Sequence, residues 1–224
     1  MIVSVHLAEV GWRRAPGLLR SRLDPVTVPG MTYFEPALST PLRDGPVPRP
    51  GPGRFALITA WEDDEKLDRF LDSHPLARRL AGAWQVRLEP VRLYGSWSGM
   101  PGLPTRERPV DDEEPVAVLT LGRPRLKRIV PFLRTSAPAE RAAVDSPAVL
   151  ASTALARPPR FVSTFSLWRS AAGMREYAHT PDGAHQAAVR VDRAGPFHHE
   201  SAFVRFRPYA SQGSWDGRDP LAML

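Results

Sequence analysis

The chain contains no cysteine, which excludes disulfides, iron–sulfur clusters, thiolate-ligated haem, thiolate zinc sites and cysteine nucleophiles. Any metal must be held by His, carboxylate, Tyr or Met. There is also no run of the roughly 18 apolar residues that a membrane-spanning helix needs, and Met1-Ile-Val-Ser-Val-His6 carries no basic leader before its apolar residues. The expected location is therefore the cytoplasm, with peripheral membrane association at most. Blocks of like charge are missing too. The net charge of +6 and pI near 10.4 come from basic residues that are almost all Arg, interspersed with Asp and Glu. This reads as a solvated Arg-rich surface and not as a nucleic-acid patch. Absent as well are G-x-G-x-x-G after a strand, G-x-x-x-x-G-K-[ST], H-E-x-x-H and G-x-S-x-G. Nicotinamide, Rossmann-type flavin, nucleotide hydrolysis and the common hydrolase chemistries are left without support.

What is present is enough apolar material for a core, 42% of 224 residues, in one large domain or two small fused ones. Alternation and apolar runs predict strands at residues 3–10, 54–61, 85–94, 116–121, 160–168 and 201–207. Helical spacing marks 13–23, 63–74, 75–80, a segment from Leu126 interrupted at Pro131, and 174–185 with a break at Pro181-Asp182-Gly183. Residues 24–53 and 136–159 are rich in Pro with Gly or Ala and read as irregular connections, the first a candidate lid or rim.

The order of pieces recurs. Arg54-Phe55 matches Arg160-Phe161, Trp61 matches Trp168 with one residue inserted, Leu67 matches Met174 and Phe70 matches Tyr177. Gly95-Ser-Trp97-Ser-Gly99 matches Gly213-Ser-Trp215-Asp-Gly217. A run of matches in one order points to tandem duplication. Each half reads β-α-β-α-β, short of one strand that a long connection could supply, which is the ferredoxin-like pattern. The predicted fold is α+β: tandem ferredoxin-like repeats forming an intrachain dimeric α+β barrel. The expected division is 1–104 for the first repeat, 105–114 for a linker and 115–224 for the second repeat, which carries the site. An apolar ligand would lie between the sheets and their helices.

Among the histidines, His185 leads. It resumes a helix after the Pro181 break with Ala188 and Val189 on its flank. Two readings are open: a helix-cap or surface histidine, or a neutral imidazole with room for a planar cofactor. His74 sits at the similar break in the first half, His179 suits a helix C-terminus, and His6 reads as a satisfied strand residue. His198 and His199 alternate faces and cannot chelate one metal, although one of them could face a pocket. Phe165, Trp168, Met174 and Tyr177 are spaced to face one apolar region. Arg160, Arg169, Arg175, Arg205 and Arg207 are candidate partners for an anionic group, with none singled out.

Thr164-Phe-Ser-Leu-Trp168-Arg-Ser170, Met174-Arg-Glu-Tyr-Ala178, Gly183-Ala-His185 and Glu200-Ser-Ala-Phe-Val-Arg-Phe-Arg207 resemble the spheroidene monooxygenase family of carotenoid ketolases. The resemblance is best over residues 160–217 and faint but collinear in the first half. It implies a haem-containing monooxygenase related to ferredoxin-like α+β barrel monooxygenases, with His185 as the axial iron ligand and Phe165, Trp168 and Tyr177 lining the pocket. The implied partners are a small apolar substrate, a carotenoid or other isoprenoid, with dioxygen and an electron donor; homodimerisation stays open. At Gly195-Pro196-Phe197 the chain departs from the family pattern, which carries an aromatic residue in place of Pro196. Three alternatives keep their place: a cofactor-free monooxygenase of the antibiotic-biosynthesis type, a non-oxygenative haem enzyme, and a non-enzymatic apolar-ligand binding protein.

Overall fold

Two stretches of chain with the same element order, β-α-β-β-α-β, close into one barrel in the computed structural model, which describes residues 1–42 and 53–222. The first contributes β1 (Ile2–Glu9), α1 (Ala15–Leu19), β2 (Met31–Pro41), β3 (Arg54–Trp61), α2 (Asp64–Ser73), α3 (Pro75–Arg79) and β4 (Trp84–Gly95). The second contributes β5 (Val116–Pro124), α4 (Ile129–Val144), β6 (Val149–Arg157), β7 (Phe161–Trp168), α5 (Ala171–His179), α6 (Ala184–Ala194) and β8 (His198–Gln212). The strand order is β1-β3-β2-β6-β7-β5-β8-β4, every pairing antiparallel, and β4 closes back on β1. The α+β barrel of tandem ferredoxin-like units is therefore the fold. The halves are joined along two seams, β2 to β6 and β4 to β8.

Two expectations need correction. Residues 31–41 were expected to be part of an irregular connection and instead form β2. Pro36 hid it, but β6 pairs only with Leu38–Pro41, so Pro36 sits where a missing N–H on that side costs no ladder bond. The inward residues of β2 are also polar in part. Glu35 is held by Arg157, with Nε to Oε1 at 2.7 Å, and the Ser39 hydroxyl bonds that of Thr153 at 2.8 Å. Likewise α4 runs on to Val144 and β6 follows, where residues 136–159 were expected to be irregular. Pro131 is the third residue of α4, within the turn whose N–H groups have no helical acceptor.

The interior is filled. Val3, Val5, Ile58, Trp84, Leu119, Phe165, Val204 and Phe206 are among the inward side chains with no exposure. Trp97 and Trp215, from the loops after β4 and β8, join this core, each packed in part on the other half: Trp97 against Phe161 (6.0 Å) and Trp215 against Trp84 (5.2 Å). The segment between β4 and β5, where the linker was expected, has no helix or strand but is tied down. Arg108 N donates to Val91 O, Glu107 pairs with Arg92 and Arg205, and Ala171 N donates to Glu114 O.

The matched Gly-Ser-Trp loops depend on glycine at their first position. Gly95 (φ +85°) and Gly213 (φ +88°) are left-handed, and a Cβ on them would collide with Ser201 O and Ala83 O respectively. Gly82 (φ +84°) has the same handedness and open space around it. Urea unfolding should show Gly82→Ala destabilised by about 1 kcal/mol, the cost of handedness alone. Gly95→Ala and Gly213→Ala should each lose about 2 kcal/mol or more. Equal losses at all three would show that the close approach contributes nothing.

Candidate functional site

The helices cover the outer faces of the two half-sheets, and the two covers differ. Trp61 and Trp168 are equivalent positions: each ends its strand facing outward and donates its indole N–H to a hydroxyl two residues earlier, Thr59 or Ser166, at 2.8 Å in both cases. Asp63 and Ser170 then cap α2 and α5 from the same offset. The Arg-Phe match is not equivalent. Phe55 faces outward and Phe161 inward, because one inserted residue turns every side chain before it to the other face.

With the tryptophans aligned, strand pairing gives the remaining counterparts. Where the first half has Phe34, Pro36, Phe55, Leu57 and His6, the second has Ser152, Ala154, Val162, Thr164 and Thr120. Phe55 and Leu57 are fully buried in a cluster with Leu67, Phe70 and Leu76. Their counterparts Val162 and Thr164 are only half-buried, as are Ser152, Ala154 and Thr120. Thr120 and Thr164 bond each other through their hydroxyls at 2.8 Å. The outer face of the second sheet is thus lined by small side chains and left partly open, while α6 buries no residue and packs mainly on α4 and α5.

Over this face stands a chain of rings. Trp168 and Tyr177 have centroids 5.0 Å apart, Tyr177 and His185 5.3 Å, and His185 meets Phe203 edge-on at 6.2 Å. The first half repeats the motif as Trp61–Phe70 (5.1 Å) and Phe70–His74 (4.8 Å), but there His74 Nδ1 accepts the Leu76 N–H and caps α3. His185 has no such bond among the described residues. Burial, and secondarily the charge of His179, lower its pKa, so the imidazole is neutral near pH 7. Tyr177 donates its hydroxyl to Ala139 O at 2.8 Å, and burial raises its pKa.

Phe165 does not join this group. It lies three residues before Trp168 on one strand, hence on the opposite face, and packs inside the barrel against Trp84 and Trp215 at 6.1 Å each. The expectation that it shares an apolar region with Trp168 and Tyr177 is corrected by that parity. Met174 does pack in the Trp168 cluster. His179 is exposed at the end of α5. His198, not chosen from sequence, lies over Gly122 on the same outer face, with its ring 4.7 Å from that of Phe132. Its Nε2 is buried without a hydrogen-bond partner, and burial lowers its pKa, partly offset by Asp192. The pairing of His198 with glycine beneath it was the signal available in sequence, legible only once the register of β5 and β8 is known.

No group of three or more metal-ligating side chains occurs among the described residues. A cavity of about 390 Å³ lies elsewhere, at the end of the barrel near Trp215. Its walls carry Glu9, Arg14, Arg54, Arg79 and Asp216 and no histidine, and Arg54 is already paired with both carboxylates. That chemistry fits neither an apolar guest nor an imidazole-held one, and the open outer face of the second half is the stronger candidate.

A closed barrel of two ferredoxin-like units, with half-buried small side chains on one outer face beneath a neutral imidazole, defines the chain as a tandem ferredoxin-like α+β barrel protein. No protein-family model matches the chain. It is 32% identical over 190 residues to the spheroidene monooxygenase of Rubrivivax gelatinosus, covering 83% of this chain and 72% of that one. It is 27% identical over 184 residues to the spheroidene monooxygenase of Cereibacter sphaeroides, covering 79% and 56%. The chain belongs to the spheroidene monooxygenase family, and it spans little more than half the length of the Cereibacter relative. Among solved structures it resembles an aldoxime dehydratase with TM-score 0.56 and 13% identity, covering 99% of this chain and 87% of that one. A second, an aldoxime dehydratase in complex with butyraldoxime, gives 0.55 and 10%, covering 99% and 84%. At such identities these two show the fold alone.

On the closed side, His6 is fully buried; its Nε2 lies 3.1 Å from Ser4 Oγ, which bonds Thr59 Oγ1 at 2.6 Å. Burial, with a contribution from Arg87, pushes its pKa down to about 4. The unfolded chain takes up this proton near pH 6.5 and the folded one does not, so stability present above pH 6.5 is lost as pH falls towards 4. The loss should reach on the order of 3 kcal/mol. Glu35, raised by burial to about 7, works in the opposite sense and is common to wild type and variant. Urea unfolding at neutral pH and near pH 4 should therefore show His6→Gln losing less stability on acidification than wild type. Parallel losses would refute the assignment.

Proposed function

We propose that the chain is a haem-dependent monooxygenase acting on an apolar, carotenoid-like substrate, with dioxygen and an electron donor as co-reactants. The observation that carries this reading is the asymmetry between the halves. Bulk that closes the first outer face is missing from the second, in a member of the spheroidene monooxygenase family. The residues fit a haem. His185 offers a neutral nitrogen without a protein hydrogen bond, and Tyr177 and Phe203 hold its ring in place. Haem bound there would supply the iron that activates dioxygen for insertion of one oxygen atom into the substrate.

The remaining roles fall to the chain itself. Tyr177, locked by its bond to Ala139 O and by Trp168 beneath it, fixes the orientation of the imidazole. The floor of Thr120, Val162, Thr164 and Ala154 is uncharged, made of small side chains and only half-buried, which suits a flat hydrophobic guest. His198 contributes a buried ring nitrogen free to hydrogen-bond to a ligand. Phe203, 40% exposed, meets the His185 ring edge-on, and Tyr94, 39% exposed, is the neighbour of Phe203 across β4 and β8.

The purified protein should take up haem and show a Soret band that His185→Ala abolishes while circular dichroism is unchanged. Val162→Phe, which restores the bulk of Phe55, should weaken haem uptake roughly tenfold or more with His185 intact. A protein that stays colourless after incubation with haem would overturn the proposal. Haem-loaded protein with a reductant should convert spheroidene or a related acyclic carotenoid to an oxygenated product. Turnover by haem-free protein would point to cofactor-free chemistry instead.

A further inference from the structure

The start of α4 and the end of α6 meet at the surface. Arg125 N donates to Phe197 O and an Arg128 Nη to Gly195 O, both at 2.9 Å, and the Arg128 guanidinium lies over the Phe197 ring. On the solvent side of this junction, Leu126 is 64% exposed, Val130 57% and Val191 45%. Leu126 and Val130 lie four residues apart around the start of α4, and Val191 lies on α6, the helix packed against α4; aliphatic side chains left in water on these two elements need a reason.

The charges around them are equally one-sided. Arg125, Lys127, Arg128, Arg134 and Arg193 have no carboxylate within ion-pair distance among the described residues, a state they share with exposed arginines elsewhere such as Arg13, Arg20 and Arg160; what sets this group apart is that it accompanies exposed aliphatic side chains. The nearby acid, Asp192, accepts the Phe197 N–H at 3.0 Å and remains partly exposed, offsetting one of these charges. Aliphatic side chains in the middle with uncompensated cations around them match the two layers of an anionic membrane surface, acyl chains below and negative headgroups above. A nucleic acid would use the cations and leave the aliphatics unexplained. A second copy of the same face would set like charges against each other.

We propose that the α4–α6 junction is a docking surface for an anionic lipid bilayer. The helices that carry it also roof the open face of the second half-sheet, so docking brings that opening to the phase in which a long apolar substrate dissolves. None of Leu126, Lys127, Val130, Val191 and Arg193 is assigned to the haem, and the surface stands or falls independently of it.

The test is co-sedimentation of the full chain with phosphatidylcholine–phosphatidylglycerol vesicles, with pure phosphatidylcholine vesicles in parallel. Wild type should bind the anionic vesicles at low salt, bind the neutral ones far less, and be released by salt. Lys127→Gln and Arg193→Gln should weaken binding roughly fivefold per charge removed. The Leu126→Glu/Val130→Glu double variant should not sediment with vesicles. Val26→Glu, in the turn before β2 and 90% exposed, should bind as wild type does, and so should His185→Ala. Circular dichroism of each variant checks the fold. The proposal is overturned if wild type ignores anionic vesicles, if the double variant binds undiminished, or if the double variant merely dissociates a dimer of a protein that does not bind vesicles.

Discussion

Two seams hold this protein together, β2 against β6 and β4 against β8, and each is made of strands from different halves of the chain. Closing eight antiparallel strands this way turns the inner faces of both half-sheets towards each other. Large side chains from both fill the space between them. Nothing the size of a cofactor can enter without displacing residues such as Trp84, Phe165 and Phe206, which have no exposure. The barrel interior itself is therefore closed to a ligand of that size.

On the outer faces the two halves have diverged while keeping their frame. Tryptophan, hydroxyl partner, helix cap, second aromatic ring and histidine recur in order in both. What differs is volume. Phenylalanine, leucine and histidine close one side, and valine and threonine leave the other open. A histidine that caps a helix in the first half has no such bond in the second among the described residues, where its ring packs against Tyr177 and Phe203. One outer face is fully packed, and the other is only half-buried.

Much of the fold was legible because the duplicated landmarks are rare residues: Trp61 and Trp168, and the two Gly-Ser-Trp loops, fix the alignment of the halves. Strand β2 was not, because Pro36 and the inward Glu35 and Ser39 break the alternation that marks a strand, and only the geometry of the seam and the Arg157 pair explain them. Of the ring cluster, Trp168, Tyr177 and His185 could be grouped from sequence. Phe165 was grouped with them by spacing counted as if strand and helix shared one period, although three residues along a strand reverse the face. His198 and the small-residue floor could not be seen, since both are defined by the register between strands distant in sequence.

The exchanged tryptophan loops have an implication for how the molecule comes apart. Trp97 leaves the first half to pack on Phe161, and Trp215 leaves the second to pack on Trp84. Each half is thus the lid of its neighbour, and neither can be opened without uncorking the other. Despite the internal symmetry, the expected behaviour is melting as one cooperative unit, with each half destabilised when cut from the other.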